Sequence, residues 1–252
     1  MTPSKKFLSA LVIFVIASLG VTAAPLRIRS DRWMPFNGAP GTDAQPGYVL
    51  ELLQEVFGSD ALDYQNLAWD ASLGACRGGQ IDAVIGANEK ESQGLVHGEE
   101  SISEVKFAVF LKKATHFSFQ SLASFKGHKL GAVAGYSYWV NMDDMIRANP
   151  ADIVFLDQNN AAEDGIGRLL RGDIEFYVEA VPVFFWTAKK AGVDTNQFRM
   201  VAIQSGDPSF VSFHADENGR RRALQLDEGI RRLRANGKLR AILDKYGLTD
   251  WK

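Results

Sequence analysis

The sequence predicts an α/β protein built of two lobes, and two observations lead to this prediction. Short apolar runs bounded by turn residues alternate with segments whose apolar residues recur at helical spacing. This alternation occurs twice, because a second series begins near Lys112 and the chain crosses back near residue 205. Two extended crossings between the same lobes predict a hinge with a cleft beside it. We therefore expect residues 24–111 and 205–252 to form one discontinuous lobe and residues 112–204 to form an inserted second lobe.

The first lobe is expected to begin with a strand and to alternate from there. The pattern predicts strands at Leu26–Ser30, Leu62–Trp69, Ile81–Gly86 and Val105–Leu111, and helices at Gly47–Phe57 and from an N-cap at Asp70 to Gly78.

The second lobe repeats this arrangement, and the chain then returns to the first. The pattern predicts strands at Lys129–Val133, Ile153–Leu156, Ile174–Val178, Arg199–Ile203 and Phe210–His214. It predicts helices at Ala161–Leu170, from Val181 towards Lys190, and through Trp139, Met142 and Ile146 after a turn at Gly135-Tyr136-Ser137. The tail from Asp216 to Tyr246 is expected to be helical with a break at Gly237. Its many arginines indicate a solvated helix face rather than a nucleic-acid site.

Composition restricts the class of protein. The chain has 252 residues, 46% of them hydrophobic and 23% charged, with a net charge of −2. These values are typical of a soluble globular protein large enough for two modest domains. The near-neutral charge argues against nucleic acid as a partner.

The N-terminus predicts export. Lys5-Lys6 precede a short apolar run from Phe7 to Leu19, and Val21-Thr22-Ala23 supplies small residues for cleavage. This order is typical of a secretory signal peptide, which we assign to residues 1–23, with an uncleaved anchor as the alternative. Cys76 is the only cysteine, so no intramolecular disulfide can form, and we expect it to be a buried packing residue. We expect a periplasmic protein.

The stretch after Ile81–Gly86 is the first candidate site. The chain turns polar at Ala87, Asn88 and Glu89. Ligands in open α/β sheets bind beyond the carboxyl ends of strands, and Gly86 would let a ligand approach the backbone. An ordinary surface loop is the alternative interpretation.

Two further segments suit binding. Tyr136 and Ser137 follow Gly135 at a predicted helix N-terminus, where free N–H groups and a hydroxyl would receive an anion. Trp33 lies in a predicted loop and would supply a flat apolar wall for a ligand. A helix cap and an interlobe packing residue are the respective alternatives.

Motifs for catalysis and cofactors are not found in the sequence. It contains no GxGxxG, no P-loop and no GxSxG elbow, and its four histidines lack metal-binding spacing. We expect neither a cofactor nor a metal. A carboxylate pair for glycoside hydrolysis stays open, since such pairs are distant along a chain, but no residue is nominated.

Four segments together carry a resemblance to a known family. Their order and spacing resemble those of the family 3 periplasmic solute-binding proteins, the polar amino-acid receptors of ABC transporters. The segments are the aromatic-x-Pro-Phe loop Trp33-Met34-Pro35-Phe36, the helix start Gly47-Tyr48-Val49-Leu50-Glu51-Leu52, the motif Arg77-Gly78-Gly79-Gln80-Ile81-Asp82-Ala83, and Ser121-Leu122-Ala123-Ser124-Phe125-Lys126-Gly127 with Leu130-Gly131-Ala132.

The resemblance implies a type II periplasmic-binding-protein-like fold and a non-enzymatic function. It implies a monomer that captures a small polar, amino-acid-like solute for an ABC transporter permease. The family's stacking aromatic falls on Trp33. Its other ligand contacts fall on Gly86, Ala87 and Glu89, and its carboxylate-binding turn falls on Tyr136 and Ser137. Asp31, Asn88 and Glu179 are further candidates for contact.

Two departures from the family pattern bear on the ligand. The arginine that clamps the amino-acid carboxylate falls on Gly94, and the aspartate for the α-amino group falls on Ala180. Glu179 replaces that aspartate only if the strand register slips. Losing a partner of each charge pair weakens amino-acid binding. If Glu89 faces the cleft, a ligand with a positive or neutral head is favoured.

Two other functions are compatible with the same fold. One is a ligand-poor sensory or interaction module, whose cleft has lost its clamp because transport is not its role. The other is a dehydratase of cyclic acids, which would use a cleft carboxylate and an arginine.

Overall fold

The computed structural model describes residues 24–252, so the predicted signal peptide lies outside the described residues. The strands are β1 (Leu26–Ser30), β2 (Leu62–Asn66), β3 (Ala83–Ala87), β4 (Leu95–Val96), β5 (Ser103–Val105), β6 (Phe107–Lys112), β7 (Leu130–Val133), β8 (Ile153–Leu156), β9 (Phe176–Ala180), β10 (Phe198–Val201) and β11 (Asp207–His214). The helices are α1 (Tyr48–Phe57), α2 (Trp69–Arg77), α3 (Val140–Ala148), α4 (Ala161–Arg171), α5 (Val181–Lys190), α6 (Glu217–Ala235) and α7 (Lys238–Lys245). Within this range no helix is long and apolar enough to cross a membrane.

The first of two mixed sheets has the strand order β2-β1-β3-β11-β4, with β5 paired to β11. Strands β1, β2 and β3 run parallel, and β11 returns antiparallel to β3 from the far end of the chain. Alternate residues of β1 are buried, as its apolar-polar alternation predicts. Helices α1, α2, α6 and α7 cover this sheet, and we call the whole unit the first lobe.

The second sheet has the order β10-β6-β9-β7-β8, and helices α3, α4 and α5 complete the second lobe. Strand β6 pairs with β9 and β10. The predicted lobe boundary between residues 111 and 112 falls inside this strand. Since a strand belongs to the sheet that it pairs with, the crossing to the second lobe lies at Lys106, between β5 and β6. The other predicted lobe boundaries stay a prediction.

One predicted helix start is wrong because a distant side chain takes over the capping. Helix α2 begins at Trp69, whose backbone N–H donates to the Gln158 side chain at 2.6 Å, so Asp70 is not its N-cap. Helix α3 begins at Val140, and the turn predicted at Gly135-Tyr136-Ser137 continues as a loop up to it. The Asp143 carboxylate accepts the Tyr138 N–H at 2.9 Å and so holds the preceding residues in a loop.

The tail confirms its predicted break. Gly237 lies between α6 and α7 in a left-handed backbone conformation. This conformation is unfavourable for residues that have a Cβ. Cys76 is fully buried, as expected for a packing residue, and burial raises the pKa of its thiol to about 12.

Candidate functional site

A cavity of about 50 Å³ lies between the two lobes. The first lobe lines it with Asp31, Trp33, Trp69, Ile85, Gly86, Asn88 and Glu91. The second lobe lines it with Phe107, Tyr136, Ser137 and Tyr138. The ends of β5 and β11 beside the two crossings close the remaining side with Val105, Asp207, Pro208 and Ser209. These residues come from six separate segments of the chain, and the fold alone brings them together.

Trp33 is fixed by the turn that carries it. Its backbone N–H donates to the Asn37 carbonyl at 2.8 Å, and its indole stacks on the Phe36 ring at 4.0 Å and 13°. On the sheet, a Cβ added at Gly86 would lie 3.2 Å from the indole Cζ3. Gly86 therefore makes room for the indole, whereas the sequence suggested that it makes room for a ligand. A ligand can stack on Trp33 only on the side that Phe36 does not cover.

Asp31 follows β1 and is the most strongly perturbed acid that lines the cavity. Its side chain is buried, and the Tyr136 hydroxyl of the second lobe donates to it across the cavity. Burial raises the pKa of the Asp31 carboxyl to about 6, although the Tyr136 hydrogen bond lowers it. The Glu91 charge adds to the rise, and no basic side chain lines the described cavity beside Asp31.

Glu179 lies behind the cavity wall at the end of β9. It is almost completely buried, and it accepts the Tyr177 hydroxyl at 2.5 Å and the Ala180 N–H at 2.7 Å. Burial raises the pKa of Glu179 to about 7, with the Asp31 charge adding to the rise. Glu179 therefore contributes to the electrostatic potential of the cavity without lining it.

Glu91 fixes the loop after β3. Its carboxylate accepts the Trp69 indole N–H at 3.0 Å and the Asn88 backbone N–H at 3.1 Å. The Asn88 side chain in turn accepts the Glu91 N–H at 2.9 Å. Burial raises the pKa of Glu91. Gly94, where the family pattern places the clamping arginine, lies outside the cavity lining beside the Arg77 side chain.

A second, larger space continues outward from the cavity. This outer groove has a volume of about 310 Å³ and shares Asn88, Ser137, Tyr138, Asp207 and Pro208 with the cavity. Glu89 and Lys90 of the first lobe face Trp139 and Val140 of the second across it. Inside the described range, no three His, Cys, Asp or Glu side chains form a group that could hold a metal ion.

Comparison with solved structures decides the fold family. No protein-family model and no curated protein matches the sequence. An ancestral arginine-binding protein bound to arginine matches with a TM-score of 0.70 and 17% identity, over 89% of this chain and 98% of that one. A solved structure that concerns glutathione import via GshT and the cystine ABC importer TcyBC of Streptococcus mutans matches as well. Its TM-score is 0.72 and its identity 14%, over 92% of this chain and 98% of that one.

The chain has the two-lobed fold of a periplasmic binding protein. A histidine kinase sensor domain with similarity to periplasmic binding proteins matches as well, with a TM-score of 0.69 and 17% identity over 88% of this chain and 95% of that one. The predicted fold class is thus confirmed. The predicted resemblance is confirmed at the level of the fold, because several structural neighbours are substrate-binding proteins of amino-acid ABC transporters.

The periplasmic-binding-protein fold brings most of the predicted site residues together. Those that line the cavity are Trp33, Gly86, Tyr136 and Ser137, with Asp31 and Asn88. Ala87 is buried outside the lining, and Glu89 is exposed in the outer groove, 3.4 Å from His97. The Ser137 hydroxyl donates to Asp143 at 2.8 Å and does not lie at a helix N-terminus, so the predicted anion-receiving corner is not formed.

Sequence reasoning missed several lining residues. They are Trp69, Glu91, Phe107, Tyr138 and the segment Asp207-Pro208-Ser209. One signal was available for the last of these, because residue 205 was identified as a crossing and crossings border the cleft. Trp69 is the first residue of α2, and Tyr138 lies two residues before α3. The periodicity of apolar residues does not show which way a side chain points at the start of a helix.

Proposed function

We propose that this protein is an extracytoplasmic solute-binding protein that captures a small polar solute between its lobes and delivers it to an ABC transporter permease. One observation carries the proposal: the cavity is lined by both lobes, next to the crossings between them. A solute bound there contacts both lobes only when they are closed, so binding and closure are coupled. We further propose a periplasmic monomer without catalytic activity, since the structural neighbours include an arginine-binding protein and a substrate-binding protein of an amino-acid ABC transporter.

Closure on a solute is the direct test. The protein is purified from the exported fraction, dialysed exhaustively, and screened by thermal shift against amino acids, amines, short peptides and sugars. We expect at least one solute to raise the melting temperature, because a ligand at 100 times its Kd stabilises the folded state by about 2.7 kcal/mol. Small-angle scattering should show a smaller radius of gyration with that solute. If no solute changes either quantity, solute capture is contradicted.

Contacts between the lobes support the closed form. Arg32 of the first lobe pairs with Asp43 of the same lobe at 2.7 Å and with Glu163 of the second lobe at 2.7 Å. The Trp186 ring of α5 lies 5.4 Å from the Tyr246 ring that follows α7. Together with the Trp69–Gln158 hydrogen bond, these contacts hold the lobes together beside the cavity.

The variant Glu163→Gln should weaken solute binding by about 2- to 5-fold, the range that a partly exposed ion pair provides. The physical reason is that the Arg32 pair forms only in the closed state. Glu55→Gln is a matched control, because Glu55 pairs with Lys238 at 2.8 Å within the first lobe and its side chain is 43% exposed, against 42% for Glu163. Titration calorimetry checks both variants, and equal affinities would exclude a role for this pair in closure.

A second candidate function is a sensor domain that binds its solute for signalling rather than transport. It is favoured by the similarity to the histidine kinase sensor domain. Both functions require closure, but only transport requires a permease. Binding of the solute-loaded protein to a permease encoded beside it, measured in nanodiscs, would distinguish them.

A further inference from the structure

We propose that the inner cavity selects a small organic cation that carries no carboxylate, such as a primary amine or a quaternary ammonium group. The inference rests on the proposed solute capture and names the class of solute that the same site takes. Four features of the described residues lead to it: the charges that line the site, the donors already in use, the aromatic walls, and the size of the cavity.

The charges around the site are almost all negative. Within residues 24–252, Asp31, Glu91 and Asp207 line the inner cavity, and no lysine, arginine or histidine lines it. The outer groove is lined by two further acidic side chains, Glu89 and Asp143, and by one basic side chain, Lys90. A negatively charged solute would meet unfavourable potential along the whole path, whereas a cation would be attracted from the mouth inward.

The polar donors around the cavity already serve internal carboxylates. Tyr136 donates to Asp31, Ser137 and the Tyr138 N–H donate to Asp143, and the Trp69 indole donates to Glu91. The Trp33 indole N–H is a buried donor without a hydrogen-bond partner, and the Glu179 carboxylate is its acidic neighbour. The Ser209 hydroxyl, which also lines the cavity, is a second buried donor without a partner. A solute carboxylate would therefore find two neutral donors and no cation, which is too little to replace its hydration.

Asp31 is the carboxylate that would pair with a bound cation. The residue is 7% exposed, faces the cavity, and receives the Tyr136 hydroxyl but no basic side chain among the described residues. A buried carboxylate without a cationic partner is unfavourable in the empty protein. A primary ammonium group in the cavity would supply the missing charge and a charge-assisted hydrogen bond, whereas a quaternary ammonium group would supply the charge alone.

The walls of the cavity suit the apolar surface of such a cation. Trp33, Trp69, Phe107, Tyr136 and Tyr138 all line it. The Phe107 and Tyr138 rings meet at 5.3 Å and 90°, which gives this side of the cavity a rigid corner. Aromatic faces attract ammonium groups through their quadrupole, and carboxylates gain nothing from them.

The cavity size limits what enters it. At about 50 Å³ it is small, so it accepts a small cationic head rather than a whole large solute. Substituents of the solute can extend into the outer groove, which opens directly from it past Asn88 and Tyr138.

Matched solutes test the proposal on the unaltered protein. Titration calorimetry compares ethanolamine with glycine, and choline with glycine betaine and with its neutral isostere 3,3-dimethylbutanol. We expect the best cation without a carboxylate to bind at least about tenfold more tightly than its carboxylate-bearing and neutral counterparts. Equal or tighter binding of a carboxylate-bearing or neutral member overturns the proposal while leaving solute capture intact. If no solute of any charge binds or closes the lobes, solute capture itself fails and this proposal fails with it.

The variant Asp31→Asn tests the residue assigned to the cation. We expect it to lose at least about tenfold in affinity for the cation, because the replacement keeps the shape and removes the charge. Its affinity for 3,3-dimethylbutanol should stay within about twofold, which shows that the cavity is still formed. Asp60→Asn, on the exposed surface of the first lobe, removes the same charge away from the cavity and should change neither affinity. Unchanged cation binding in Asp31→Asn overturns the assignment.

Discussion

Replacing Gly47 by alanine is expected to lower the free energy of unfolding by more than about 3 kcal/mol. Gly47 precedes α1 with φ 98° and ψ 146°, a backbone conformation that only glycine adopts readily. A Cβ there would lie 2.5 Å from both the Phe36 carbonyl oxygen and the Asn37 Cα. These atoms belong to the turn that carries Trp33, so the clash would also displace the cavity wall. Denaturant unfolding measures the loss.

Gly58 provides a matched control at the other end of the same helix. It has nearly the same conformation, φ 92° and ψ 143°, but nothing lies within 4 Å of its added Cβ. Gly58→Ala should therefore lower the free energy of unfolding only by the cost of the strained backbone, about 1–3 kcal/mol. If both variants lose the same stability, the close approach of Gly47 to the Trp33 turn contributes nothing.

The segments that sequence could predict are those whose structure is set by their own residues. The apolar alternation of β1 and the helical spacing of α1 specify a strand and a helix whatever surrounds them. The break at Gly237 belongs to the same class, because the left-handed backbone there favours glycine locally. For the same reason the strand-helix order, and through it the fold class, could be predicted.

The features that sequence could not predict depend on side chains far away along the chain. Gln158 caps α2 from 89 residues away, and Tyr136 meets Asp31 from 105 residues away. Nothing in the local pattern at Trp69 or Asp31 records these partners. The division of the predicted strand Val105–Leu111 into β5 and β6 could not be predicted for the same reason. It depends on distant pairing partners, since β5 pairs with β11 and β6 pairs with β9. The candidate residues Trp33 and Tyr136 could be predicted because they lie in loops that follow predicted strands and match the family pattern.

The empty protein is expected to lose stability as the pH rises from about 4 to 7, by on the order of 3 kcal/mol for each strongly perturbed carboxyl. Burial raises the pKa of Asp31 from 3.8 to about 6 and that of Glu179 from 4.5 to about 7. In this window the folded protein binds more protons than the unfolded chain, so raising the pH favours unfolding. Asp43 and Glu100 act in the opposite direction, but their pKa values lie below the usual range and they titrate at lower pH. Denaturant unfolding at a series of pH values measures the slope.

Asp31→Asn should remove the Asp31 part of that slope and make the empty protein more stable at pH 8, since the amide needs no proton to be neutral. Asp60→Asn, exposed on the first lobe, should leave the slope unchanged. The proposed cation would reverse the dependence, because it binds the ionised Asp31 and its affinity should rise through the pKa of about 6. The stabilisation by ligand is therefore greatest at the pH where the empty protein is weakest. A ligand whose affinity falls between pH 5 and 7.5 would show that Asp31 binds it in the protonated form, as a hydrogen-bond donor rather than as a counter-charge.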